Sequence, residues 1–218
     1  MEIVAGGLRV AASDVANFLA CQQVTQLDLA KARGELRPPQ AVDLGFDDLV
    51  RRGEEHERAV LERFRGAGHE IADLGGTWDS AATADAVRAG VGVVYQGTLA
   101  GREGGLGLLG RPDFLVRADL LAAPDGEARP DGISYEVVDA KLARTAKARA
   151  VLQTAFYSRL LGLVQGGEPR WMWLALGRGE LVPFKVADFA AYERQTRRRL
   201  AEVLGSGPPA GLYPEPVE

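Results

Sequence analysis

Two short segments carry side chains that can do chemistry together: Gly110-Arg111-Pro112-Asp113, and Tyr135-Glu136-Val137-Val138-Asp139-Ala140-Lys141. Asp113 follows a proline and precedes the apolar run Phe114-Leu115-Val116. Asp139 and Lys141 close a β-branched run and stand two residues apart. Successive side chains of a strand point to opposite faces, so residues two apart share a face. Two carboxylates and a lysine on one surface are the minimum set for holding a hard divalent cation and acting on a phosphodiester.

The flanking pattern supplies elements able to position these groups. Residues 13–21 read as a short capped helix, with Ser13 or Asp14 as N-cap and Val15, Phe18 and Leu19 as its apolar stripe. Residues 33–40, with Pro38-Pro39, read as a loop. Over 46–65, Leu49, Val50, Ala59, Val60 and Phe64 recur at helical spacing, and Gly66-Ala67-Gly68 ends the helix. Residues 77–87 read as a short helix feeding residues toward a substrate channel. Strands are expected over 91–99, 108–117 and 133–141, with a Gly-rich turn over 101–107 and a turn-rich loop over 124–132. A helix over 146–163, strands over 170–176 and 181–186, and a last helix from Asp188 to about residue 204 complete the pattern. Helix, three strands, helix, strand implies an α/β fold with a mixed β-sheet flanked by helices. In such a sheet Asp113 and Asp139 lie on neighbouring strands.

Length and composition fit this reading. The 218 residues are enough to bury a core, and 46% hydrophobic with 26% charged residues is ordinary for a globular chain. The net charge of −4 argues against a surface coated with phosphate-binding residues, but a phosphodiester can be held by a local basic groove alone. The single cysteine, Cys21, excludes an intramolecular disulfide and fits a reducing cytoplasm. No apolar run approaches the roughly 20 residues of a membrane span, and Met1-Glu2-Ile3-Val4 lacks the basic-then-apolar pattern of a signal peptide. The domain organisation expected is a helical extension over 1–45, the main domain over 46–205, and a Pro/Gly-rich tail over 206–218.

Gly110-Arg111-Pro112-Asp113, Asp139-Ala140-Lys141 and Gln153-Thr154-Ala155-Phe156-Tyr157, in this order and context, resemble the RecB-like branch of the PD-(D/E)xK nucleases. The likeness spans about residues 10–217. It extends to bacterial RecB-like nucleases in which this domain often precedes an RNase H-like exonuclease domain. It implies a restriction-endonuclease-like core and metal-dependent hydrolysis of DNA, single-stranded or end-bearing, in repair, recombination or processing.

Residue by residue, the resemblance makes Asp113 and Asp139 ligands of Mg²⁺ or Mn²⁺, with the backbone carbonyl of Ala140 as a further oxygen. Lys141 orients or helps deprotonate the attacking water, or stabilises charge building on phosphorus. On the helix carrying Gly53-Glu54-Glu55-His56-Glu57, His56 is the further ligand and Glu57 the alternative. Gln153 and Tyr157, four apart on one helix face, border the catalytic site. Arg144, Lys147 and Arg149, in a basic run with no acid, are placed to hold backbone phosphates. Cys21 matches the first cysteine of relatives with an iron–sulfur cluster, whose other three lie after the nuclease motifs. One thiolate cannot hold a cluster, so a cluster is expected only if the chain continues in a longer parent protein.

Other features weigh less. Trp171 and Trp173 share a strand face and read as core, His69 as incidental, and Arg197-Arg198-Arg199 as a second basic cluster. The rival reading is a nuclease-like module that binds nucleic acid or a partner chain without cutting. No Gly-rich phosphate loop, Ser-His-Asp set or dinucleotide fingerprint supports a third class.

Overall fold

The computed structural model describes residues 1–5, 7–37, 46–127 and 132–206. The chain begins with the antiparallel pair β1 (Glu2–Val4) and β2 (Gly7–Ala11), followed by α1 (Ala12–Ala20) and α2 (Gln22–Ala32). Ala11 is the N-cap of α1. Asp14 reaches back to it, accepting the Ala11 N–H at 2.7 Å and the Met1 ammonium at 2.8 Å. The capping carboxylate therefore sits at the third helical position, as in a capping box. The extended backbone of Cys21 divides α1 from α2. No periodicity announces α2: Val24 and Leu27 are exposed and Leu29 alone of its aliphatic residues is buried.

Helix α3 (Phe46–Gly66) matches the expected span, but only Val60, Leu61 and Phe64 of its apolar residues reach the core, while Leu49 and Val50 stay exposed. After β3 (Ile71–Asp73) comes α4 (Ser80–Ala89), capped by the Asp79 carboxylate on the N–H groups of Ala81 and Ala82. Then follow β4 (Val93–Tyr95), β5 (Leu99–Glu103), β6 (Leu106–Gly110), β7 (Phe114–Arg117), β8 (Tyr135–Lys141), α5 (Ala148–Gln165), β9 (Trp171–Leu176), β10 (Leu181–Lys185) and α6 (Val186–Ser206).

Two expected strands are broken. The run 91–99 stops at Gln96, whose φ of 51° is the one left-handed non-glycine conformation among the described residues. The run 108–117 is interrupted at Arg111-Pro112-Asp113, because proline has no N–H to continue a ladder. The interruption transfers the chain between sheets. β6 lies in a four-stranded sheet ordered β1-β2-β6-β5, and β7 in a six-stranded sheet ordered β10-β9-β8-β7-β4-β3. The Gly-rich turn shrinks to Gly104-Gly105, both at positive φ, which matches the twist a two-residue hairpin needs. Pairs β2/β6, β3/β4 and β8/β9 are parallel and the rest antiparallel, with α5 as the crossover from β8 to β9. The chain is thus α/β, with mixed sheets flanked by helices.

The six-stranded sheet lies between α3 and α5. On one face Tyr135 and Val137 of β8 pack with Leu152, Phe156 and Leu161 of α5. On the other, Val138 packs with Phe114, Trp173 and the α3 residues Val60, Leu61 and Phe64. Trp171 and Trp173 are core, as expected, and Trp173 Nε1 donates to the buried Glu136 carboxylate at 2.7 Å. Residues 1–45 are not an appendage in their described part. β2 pairs with β6, and Val10, Val15 and Phe18 share the α5 core. No helix among the described residues is long and apolar enough to cross a membrane.

The basic cluster on α6 is not uniform. Arg197 is buried and paired with Glu193 and Glu103, each at 2.8 Å. Burial pushes the Glu103 carboxyl up, but the Arg197 and Arg159 guanidiniums more than offset it, leaving the pKa below the ordinary value. A depressed carboxyl stabilises the fold above its unfolded pKa of about 4.3, and that contribution disappears as pH falls through the folded value. Glu103→Gln is therefore expected to lower the melting temperature at pH 7, with the gap to the parent closing below about pH 4. A gap that does not change with pH would contradict the pairing.

Candidate metal and nucleic-acid site

β7 and β8 run antiparallel with Phe114 opposite Val138. That register sets Asp113, one residue before β7, opposite Asp139 near the end of β8. Asp113 Oδ2 accepts the N–H of Ala140 at 2.7 Å, which ties its carboxylate to the neighbouring strand. Asp139 is 1% exposed, and the Lys141 ammonium forms an ion pair with its Oδ2. The expected trio of Asp113, Asp139 and Lys141 is thus gathered at one end of the sheet, with Ala140 at its centre.

The electrostatics follow from burial. Desolvation is the largest influence on Asp113, and the Asp139 and Glu57 charges add to it. Lys141 and the Ala140 N–H oppose it, and the carboxyl still lies well above the ordinary range. Asp139 is raised for the same first reason, with Lys141 and the contact with Asp113 pulling it down and Glu57 pushing it up. Burial works against the Lys141 ammonium, but Asp139 and Asp113 outweigh it and hold its pKa above the usual value. Two buried carboxylates facing each other, with the Glu57 charge nearby and one lysine opposing, disfavour ionisation of both carboxyls at once.

The donor set suits a hard cation. Mg²⁺ is commonly held by one or two carboxylates and keeps several waters, which Asp113 and Asp139 can satisfy. A fuller cage is not assembled: among the described residues, no group of three His, Cys, Asp or Glu stands together to hold a metal. His56 therefore does not stand in one ligand group with Asp113 and Asp139 among the described residues. His56 Nε2 lies 2.9 Å from the Ala175 carbonyl on β9. A carbonyl only accepts, so Nε2 donates and the ring's lone pair is left at Nδ1. The carbonyl orients the ring and leaves Nδ1 as its open nitrogen.

Glu57, the alternative, has the stronger link to the carboxylates. It contributes to the fields at Asp113, Asp139 and Lys141. It also accepts Gln96 Nε2 at 2.6 Å, and it raises the pKa of the Tyr95 hydroxyl, on which burial acts first. Gln96 joins the parts. Its N–H donates to the Asp113 carbonyl at 2.8 Å, and its Oε1 accepts Arg111 Nη2 at 2.7 Å. Tyr95, Gln96 and Arg111 were not among the expected site residues. Nothing in the sequence signals the left-handed backbone at Gln96 that folds this corner.

Gln153 and Tyr157 border the site as expected. Gln153 Nε2 donates to the Tyr157 hydroxyl at 2.8 Å, and that hydroxyl's pKa is raised by burial and then by Asp139. Gln153 forms a shared wall of two grooves. One, about 260 Å³, runs past Lys141, Thr145, Lys147 and Arg149. The other, about 670 Å³, is lined by Arg9, Ser13, Trp78, Arg111 and Tyr157. Lys147 and Arg149 thus flank Lys141 as expected, with Arg149 Nη2 also donating to Asn17 Oδ1 at 2.9 Å. Arg144 is exposed on the same loop without lining either groove. Cys21 is exposed between α1 and α2.

No protein-family model matches this chain, and no curated protein does. Among solved structures it is similar to the crystal structure of SSO0001, with a TM-score of 0.36 and 10% identity over 90% of this chain and 78% of that one. Likeness at that level establishes neither family nor activity.

The fit of α5 against the sheet depends on Gly110. A Cβ there would lie 2.8 Å from Tyr157 Cδ1 and 2.9 Å from Leu160 Cδ1. Gly110→Ala is expected to destabilise the protein by about 1–3 kcal/mol through overpacking, or about 2–4 °C of melting temperature per kcal/mol. Gly107 lies on the same strand, where a Cβ would meet only ordinary contacts at 3.5 Å or beyond. Gly107→Ala should be neutral or mildly stabilising. Equal melting temperatures for the two variants would show that α5 does not rest on Gly110.

Proposed function

We propose that the chain is a divalent-metal-dependent nuclease of the RecB-like, PD-(D/E)xK kind, hydrolysing DNA phosphodiesters. The observation that carries this reading is the convergence of Asp113, Asp139 and Lys141 at one end of the sheet, with Lys141 lining a groove that Lys147 and Arg149 also line. The mixed sheet between α3 and α5, with a helical crossover after β8, is compatible with a restriction-endonuclease-like core.

In this reading Asp113 and Asp139 hold Mg²⁺ or Mn²⁺, with the Ala140 carbonyl as a further donor. A bound divalent cation supplies Lewis acidity and a water made more acidic by coordination. The protein supplies orientation and charge. Lys141, anchored on Asp139, sets the attacking water or meets the charge developing on phosphorus. Gln153 and Tyr157 form the wall along which the strand lies. Lys147 and Arg149 hold flanking phosphates, and a single such groove suffices in a chain of net charge −4. The strand is single-stranded or end-bearing DNA, and the setting is cytoplasmic repair, recombination or processing. An iron–sulfur cluster enters this reading only in a longer parent protein, since one thiolate cannot hold it.

The rival is a binding module that does not cut. It is favoured by the lack, among the described residues, of a three-ligand cage. A cleavage assay separates the two. Labelled DNA should be degraded with Mg²⁺ and left intact with EDTA. Lys141→Ala should slow turnover about 100-fold or more while DNA binding stays within about twofold. Parent protein that binds DNA but leaves it whole with Mg²⁺ or Mn²⁺ establishes the module. Undiminished cleavage by Lys141→Ala refutes the assigned role of the lysine.

A further inference from the structure

Trp78 is the largest side chain left in solvent, and burial of core apolar groups does not explain its placement. It is 65% exposed, whereas Trp171 and Trp173 are buried. Its backbone is fixed on both sides. Thr77 closes a turn by donating its N–H and its hydroxyl to the Leu74 carbonyl, at 3.1 and 2.9 Å, and Asp79 caps α4. A rigid segment therefore presents an indole to water at the rim of the 670 Å³ groove.

The Arg111 guanidinium lies over the indole, 4.8 Å from the ring centroid, and Nη2 is tied to Gln96. Among the described residues, Gln96 is the hydrogen-bond partner that Arg111 has, and its buried Nε has none. Arg111 stands two residues before Asp113, and Gln96 links it to Glu57. Arg9 lines the same groove, paired with Glu2 at the surface. An exposed aromatic face, a planar cation beside it and a wall shared with the proposed catalytic groups make a receptor for a flat heterocycle joined to an anion.

We infer that this groove is a nucleotide subsite in which the exposed face of Trp78 stacks on one unpaired base and Arg111 holds that nucleotide's phosphate. The inference rests on the nuclease reading and deepens it. It assigns Trp78 and Arg111 as residues that position the strand, and it requires the base next to the cleaved bond to be out of a duplex. Stacking on an aromatic is tolerant of sequence, because every base has a π-face, so the subsite selects strandedness and not base identity. The expected short helix over 77–87 thus contributes through the residue before its cap.

The test uses oligothymidylate of about eight nucleotides, labelled for anisotropy, with Ca²⁺ in place of Mg²⁺. Trp78→Ala should weaken binding about tenfold or more, and Trp78→Phe should keep most of the affinity. An abasic oligomer of the same length should bind the parent and Trp78→Ala alike. Arg111→Ala should weaken both oligomers equally and reduce the salt slope by about one. Trp78→Ala that binds like the parent, in a protein that cuts DNA with Mg²⁺, overturns the subsite and leaves the nuclease reading standing. A parent protein that neither binds nor cuts DNA overturns both.

Discussion

Asp113 and Asp139 face each other because β7 and β8 pair in one register and no other, and this enforced approach of two buried carboxylates organises the molecule around it. Side chains on a strand alternate, so a slip of one residue would turn Asp139 and Lys141 away from α5. The register is held by apolar packing on both faces of β8, whose residues 135–139 are all buried. It is also held by the hydrogen bond from the Ala140 N–H to Asp113. Like charges brought together out of water are unfavourable, and the Lys141 ammonium offsets only part of that. In the proposed function, a cation held between the two carboxylates would relieve that cost.

The surroundings carry the consequence outward. Pro112 ends β6 and frees the chain to enter the second sheet, so Asp113 sits where the two sheets part. Gly110, just before it, lets Tyr157 and Leu160 of α5 approach closely. Gln96, in its left-handed conformation, ties Glu57 and Arg111 to the same corner. Four elements distant in sequence therefore converge through hydrogen bonds and close packing that depend on a few small or unusual backbone positions.

Much of this was legible in the sequence. The Asp139-Ala140-Lys141 spacing fixes a shared strand face by period alone, and the α3 and α5 helices follow from apolar recurrence. Less was legible where tertiary partners decide. Leu49 and Val50 have helical spacing yet remain exposed, because only the later half of α3 covers the sheet. Strands 91–99 and 108–117 read as continuous because their residues are strand formers, and the breaks depend on Gln96 φ and on a change of sheet at Pro112. The choice between His56 and Glu57 is a matter of helix rotation. Neighbours on a helix point about 100° apart, and sequence does not say which one faces the carboxylates. Trp78 lacks any periodic context, so only its position on the groove gives it meaning.

The central claim is that Asp113 and Asp139 hold a divalent cation together. Titration with Mn²⁺, read by the loss of the free-ion electron paramagnetic resonance signal, tests it directly. One bound Mn²⁺ per chain is expected, displaced by Mg²⁺, with no such binding in a folded Asp113→Asn variant. A parent protein that binds no Mn²⁺, or an Asp113→Asn variant that binds it as well as the parent, would show that the two carboxylates do not hold a cation together.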